Sequence, residues 1–171
     1  MKTKKTIKLI SGLLMVLIVI WLTWTFMTSP YSIRKEVEKF EVLESEVSDR
    51  DNYDRLVRLD KEQGHDFLTD NVKYAKVVNE SFPFSSKRLD TVQSRLILEV
   101  LNDSSSYTWG EFGTPTYDQT IFYFDSTDKI VGYTIIDNMG EIENYPYRSL
   151  MKWGMMTDKG YGRLIKWMNR K

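Results

Sequence analysis

The chain has 171 residues, 42% of them hydrophobic and 28% charged, a length and balance that suit one globular domain with a real core. Cysteine is absent, which excludes disulfides, thiol nucleophiles, cysteine-ligated zinc, iron–sulfur clusters and a lipid carried on cysteine. The formal net charge of +0 divides into +4 over residues 1–30, −10 over 31–147 and +6 over 148–171, and so acidic a body argues against a nucleic-acid partner.

Residues 1–8 form a basic start with Lys2, Lys4, Lys5 and Lys8. From Leu9 to Ile33 no side chain is charged, and residues 9–27 read LISGLLMVLIVIWLTWTFM. About 20 such residues in a helix cross a hydrocarbon layer of ~30 Å, so 9–28 is predicted to be a transmembrane helix. Trp21 and Trp24 fall toward its far end, where indoles favour the headgroup boundary, and Pro30 supplies a stop. A cleaved secretory signal is the rival reading. Its apolar region is shorter and ends at a small-x-small site, whereas Trp24 and Phe26 would occupy the small positions here. The four N-terminal lysines predict a cytoplasmic N-terminus and an extracytoplasmic domain in the cell membrane.

Residues 29–50 are predicted to be an amphipathic juxtamembrane helix, with Ile33, Val37, Phe40, Leu43 and Val47 three to four apart. It either packs on its own domain or dimerises as a stalk. The remainder, 51–171, reads as a small α+β domain. Its first half is predicted helical: 51–63 ended by Gly64, a short helix at 72–78, a loop around Pro83, then a helix opened by Asp90. Gln93 three residues after Asp90 makes a capping box, and Leu89, Val92, Leu96, Val100 and Leu101 form the proposed apolar stripe.

The period then changes. QTIFYFD (119–125), IVGYTIID (130–137) and 141–145 are predicted strands, joined by turns at 126–129 and 137–140 in which Asn138 and Gly140 can take positive φ. They would form a three-stranded antiparallel meander with one face on a helix and the other toward water or a partner. The aromatic content of the strands exceeds what one buried face requires. A C-terminal helix over 161–171 sets Tyr161, Leu164, Ile165 and Met168 against Arg163, Lys166 and Arg170; this basic side either contacts lipid headgroups or is a solvated face.

The helix followed by a three-stranded meander over 89–145 resembles the SmpA/OmlA-like domains of small bacterial envelope lipoproteins that assist outer-membrane assembly. The resemblance is one of element order, and implies an envelope setting and no site residue. The lipid-bearing cysteine and glycine-led helix opening of those domains have no counterpart here.

Chemistry-bearing motifs are sparse. His65 is the sole histidine and reads as loop punctuation after a helix. There is no G-x-S-x-G elbow, no phosphate loop and no EF-hand spacing around Asp125 and Asp128. No catalytic, metal or cofactor residue is predicted. The aromatic group Tyr107, Trp109, Phe112, Tyr117 and Trp153 is the candidate binding face, with core packing as the plain alternative. The expected function is a membrane-anchored, non-enzymatic envelope module that binds another protein or a wall component. The alternative is a membrane-anchored hydrolase whose carboxylates the sequence does not single out.

Overall fold

The computed structural model describes residues 2–38, 67–68, 71–81, 83–108, 116–145 and 153–170. The chain divides into two units, Met1–Glu36 and Val37–Lys171. The predicted helix at 51–63, its Gly64 stop and His65 lie outside the described residues.

The first two helices are α1, Lys2–Met27, and α2, Pro30–Glu38, with the first unit ending inside α2. Within α1 the 18 residues Ile10–Met27 are long and apolar enough to cross a membrane, and none of that stretch is buried. At ~1.5 Å per residue it covers most of a bilayer's hydrocarbon depth. Hydroxyls near its far end bond back to the helix: Thr23, Thr25 and, just past α1, Thr28 each donate to the carbonyl four residues back, at 2.8 Å. An apolar solvent would require that, because no water is there to accept them. Pro30 does more than stop α1. It stands at the first position of α2, where its missing N–H costs nothing, behind Ser29, whose Oγ accepts from the Ser32 N–H.

In the second unit the order is β1 (Tyr74–Asn79), β2 (Ser86–Leu89), α3 (Thr91–Leu101), a 3₁₀ turn (Ser104–Ser106), β3 (Tyr107–Thr108), β4 (Gln119–Phe124), β5 (Ile130–Ile136), β6 (Glu141–Tyr145), β7 (Trp153–Met156) and α4 (Asp158–Asn169). The fold is α+β. The predicted strands match β4, β5 and β6, but the sheet is not a three-stranded meander. Among the described residues it has seven antiparallel strands in the order β2-β1-β4-β5-β6-β7-β3.

The predicted helix at 72–78 is also corrected, since Tyr74–Asn79 is strand β1. Its apolar run suits either state, and pairing with β4 on one side and β2 on the other decides it. The predicted loop around Pro83 ends by Ser86, which opens β2, a polar edge strand carrying Lys87 and Arg88 as edge strands often do. With β1 and β2 present, the first half of the domain is not all helical.

The register places Ala75, Ile121, Tyr123, Ile136, Ile142 and Met156 on the face that packs with Ile97 and Leu101 of α3 and Leu164 and Met168 of α4. The other face was expected to meet water or a partner, yet Thr120, Phe122, Tyr133, Ile135, Glu143 and Tyr145 are buried there too. Along it Tyr133 stacks on Tyr145 at 5.2 Å between centroids and meets Phe122 edge-on at 6.2 Å. Burial on both faces explains the excess of aromatics in the strands.

Asp90 caps α3 as predicted: its carboxylate accepts from the Gln93 N–H at 2.7 Å, and the Gln93 carboxamide returns a bond to the Asp90 N–H. The predicted stripe holds at Leu89, Val100 and Leu101, which are buried, but not at Val92, which is 52% exposed; Gln93, Ser94, Ile97 and Leu98 complete the inward side. Two polar residues thus occupy core positions, and both are bonded there. Ser94 Oγ donates to the Asp90 carbonyl, and Gln93 reaches the end of α4. The C-terminal helix starts earlier than predicted, with Thr157 Oγ1 accepting from the Gly160 N–H, and keeps the predicted inward side.

Candidate functional site

A cleft of about 240 Å³ opens at one end of the sheet. Four separate stretches of chain build it: the end of β1 with Asn79 and Ser81, the start of β4 with Asp118 and Gln119, the β5–β6 turn with Asp137 and Asn138, and the first half of α4 with Tyr161 and Ile165. Ile136 adds an apolar wall.

Hydrogen bonds fix the two carboxylates. Asp118 Oδ2 accepts from the Asn138 N–H at 2.9 Å, and its carbonyl accepts from the Glu80 N–H at 3.0 Å. Asp137 Oδ1 accepts from the N–H groups of Met139 and Glu141 at 2.8 and 2.9 Å, so the carboxylate organises the turn that follows it. In that turn Gly140 alone takes positive φ, at 86°; Asn138 does not. The Tyr161 hydroxyl donates to the Asp137 carbonyl at 3.3 Å. Burial pushes the Tyr161 phenol up from its ordinary pKa, and the negative charges of Asp137 and Asp118 push it further, so it stands in the cleft as a neutral hydroxyl.

Asp137 is only 3% exposed. Its Oδ2 accepts no hydrogen bond among the described residues and is not among the buried atoms sealed off without a partner. This residue borders the cleft. Among the described residues, no Lys, Arg or His lines it.

A second polar group is sealed instead of open. Thr134 Oγ1 donates to Asn144 Oδ1 at 2.7 Å, so the Tyr123 hydroxyl at 3.1 Å is the donor to Thr134. The Tyr107 hydroxyl donates to the Leu101 carbonyl at 2.7 Å. These groups are fully buried and hold the core together.

Of the five sequence-predicted binding residues, the two whose side chains are described, Tyr107 and Tyr117, lie apart. Tyr107 is buried in the core, on the edge strand β3. Tyr117 is 51% exposed and precedes β4, with β5, β6 and β7 lying between that strand and β3. Trp109 and Phe112 lie outside the described residues, as does the Trp153 side chain, although its backbone pairs with Glu143 in β7. Of this set, Tyr117 alone is seen next to the cleft, one residue from Asp118. Met139, 74% exposed, follows Asn138 on the turn bonded to Asp118.

Sequence reasoning missed the cleft itself. Asp137 and Asn138 were legible as a turn, but nothing local ties positions 79, 118, 137 and 161 together. Among the described residues no group of three or more His, Asp or Glu is placed to share a metal ion. The turn at Asp125 is the expected hairpin, its Oδ1 accepting from Thr127 and Lys129 N–H groups.

Fold and cleft together define a class: an apolar helix of membrane-spanning length ahead of an α+β domain with an acidic, amide-rich cleft. Comparison with protein-family models, curated proteins and solved structures finds no match to this chain. The resemblance in element order over 89–145 therefore stays at that level, since the meander there is the middle of a larger sheet.

Proposed function

We propose that this chain is a membrane-tethered, non-enzymatic binding module of a bacterial-type envelope. In this reading α1 holds the domain at the cell membrane, the N-terminus is cytoplasmic, and the sheet-end cleft with its exposed neighbours Tyr117 and Met139 engages a protein or wall component. The observation that carries the reading is the unburied apolar stretch Ile10–Met27 ahead of a separate compact unit. The lysines at 2, 4, 5 and 8 support the orientation.

The cleft's two acids give the alternative, a membrane-anchored hydrolase, a concrete pair in Asp118 and Asp137. Acid–base catalysis by two carboxyls needs environments that hold one protonated and the other ionised. Here the two surroundings are alike: each carboxylate accepts backbone N–H bonds from the β5–β6 connection and is tied to holding the cleft's shape. Binding is the better use of such a pair.

Carbonate extraction of membranes, combined with protease digestion of intact cells and spheroplasts, tests the tether and its orientation. The expected result is a chain that resists extraction and whose domain is cut in spheroplasts. Release at high pH, or protection of the domain until the membrane is permeabilised, would overturn the reading.

A further inference from the structure

We infer that the sheet-end cleft takes a primary alkylammonium group, the side chain of a lysine on a protein partner. This rests on the binding-module reading and names the chemistry of its ligand. Three observations converge. The first is charge: Asp118 and Asp137 both border the cleft, the body of the chain is acidic, and no cationic side chain among the described lining residues offsets them. Asp137 is the telling case, because a carboxylate that is 3% exposed keeps one oxygen without a hydrogen-bond donor. A charge taken so far out of water favours a counter-ion there.

The second is shape. About 240 Å³ is below the 300–1,000 Å³ typical of drug-sized ligands and suits one side chain. The third is the mix of surfaces. Ile136 and Ile165 give an apolar wall, along which a four-methylene stem can lie while its ammonium reaches the carboxylates. The carbonyl oxygens of the Asn138 and Gln119 carboxamides and the hydroxyl oxygen of Ser81 are further acceptors for an ammonium's three donors. An amino sugar also brings an ammonium, but its ring carries hydroxyls where the isoleucines offer nothing to bond. The lysine stem is the better match.

The test uses the full chain in lipid nanodiscs, with amide NMR shifts of Asn138, Met139, Gly140 and Tyr161 followed while Nα-acetyl-lysine methylamide is added. Saturable shifts at these residues are expected. The same probe acetylated on its ε-nitrogen, which keeps the stem and loses the charge, should bind at least tenfold more weakly, the equivalent of about 1.4 kcal/mol. Asp118→Asn, which keeps an oxygen for the Asn138 N–H, should weaken the lysine probe by a similar factor. Equal binding of charged and acetylated probes, tighter binding of glucosamine, or no saturable shift would each overturn the assignment. The probe comparison needs only the wild-type chain, so a poorly folded variant does not blunt it. Failure here leaves the tether standing, and a chain released by carbonate fails the tether without touching this titration.

Discussion

Gly160 in α4 lies against the backbone of Ser106 with no room for a side chain. A Cβ at Gly160 would come 2.4 Å from the Ser106 carbonyl oxygen and 2.9 Å from its Cα. The same carbonyl accepts the Thr157 N–H at 2.8 Å, so the start of α4 is fastened to the 3₁₀ turn by contact and by hydrogen bond. Backbone cannot swing aside as a long side chain can. Gly160→Ala is expected to destabilise the fold by about 3 kcal/mol, as overpacking does. Gly162, two residues on, is exposed with nothing within 4 Å. There the change to alanine should stabilise by about 0.5–1 kcal/mol, because only backbone entropy is altered. Thermal unfolding of the two variants should shift in opposite directions.

Ser106 has a second consequence. Its Oγ is buried and has no hydrogen-bond partner among the described residues. A buried hydroxyl without a partner costs about 1–3 kcal/mol of desolvation, so Ser106→Ala should be neutral or stabilising in denaturant titrations. A clear loss of stability would show that the hydroxyl is bonded.

Gln93 serves two helices. Its Oε1 completes the cap of α3, and its Nε2 donates to the carbonyls of Trp167 and Arg170 at the end of α4, beside Lys87 Nζ on Met168 and Arg170. Glutamate is ordinarily a good residue at this capping position. Here Gln93→Glu would set a carboxylate against helix-terminal carbonyls, so it should destabilise despite preserving the cap. Asp90→Ala should cost about 1 kcal/mol, the usual value of a cap, and Gln93→Ala more. Lys87→Met should leave the core intact and speed hydrogen exchange in the last turn of α4.

Tyr107 and Tyr123 govern the alkaline limit. Burial pushes both phenols well above their ordinary pKa of 10.0. In the unfolded chain they ionise near 10, so above that pH the unfolded state holds fewer protons and gains ground. Stability from these groups is complete below about pH 10 and falls as pH rises beyond it. Absorbance at about 295 nm, read with circular dichroism, should show these two phenols ionising only as the fold is lost. If all 10 tyrosines titrate before unfolding, the sealed core is wrong.

The span itself is tested by a charge at its middle. Ile18→Lys should raise the cost of insertion by about 2.5–3.5 kcal/mol, before relief by snorkelling or bilayer thinning. The variant should appear partly in the soluble fraction after carbonate treatment, and Ile18→Leu should not.

What the sequence determined by itself was whatever a local stretch decides. An uncharged run from Leu9 to Ile33 dictates an apolar helix, because composition and length suffice for that. β4, β5 and β6 were legible from β-branched and aromatic runs between turn residues, and α3 from Asp90 and Gln93, which cap within one turn. Only the tertiary structure decided the rest. Tyr74–Asn79 became a strand through its neighbours β2 and β4, and Tyr107 became core through its edge pairing with β7. The short strands β3 and β7 carry too few residues to announce themselves. Asp118, Asp137 and Tyr161 face one cleft because sheet register and the docking of α4 bring distant positions together. Local propensity writes itself into neighbouring residues, but pairing free energy belongs to partners far apart in the chain, and its sum settles both fold and site.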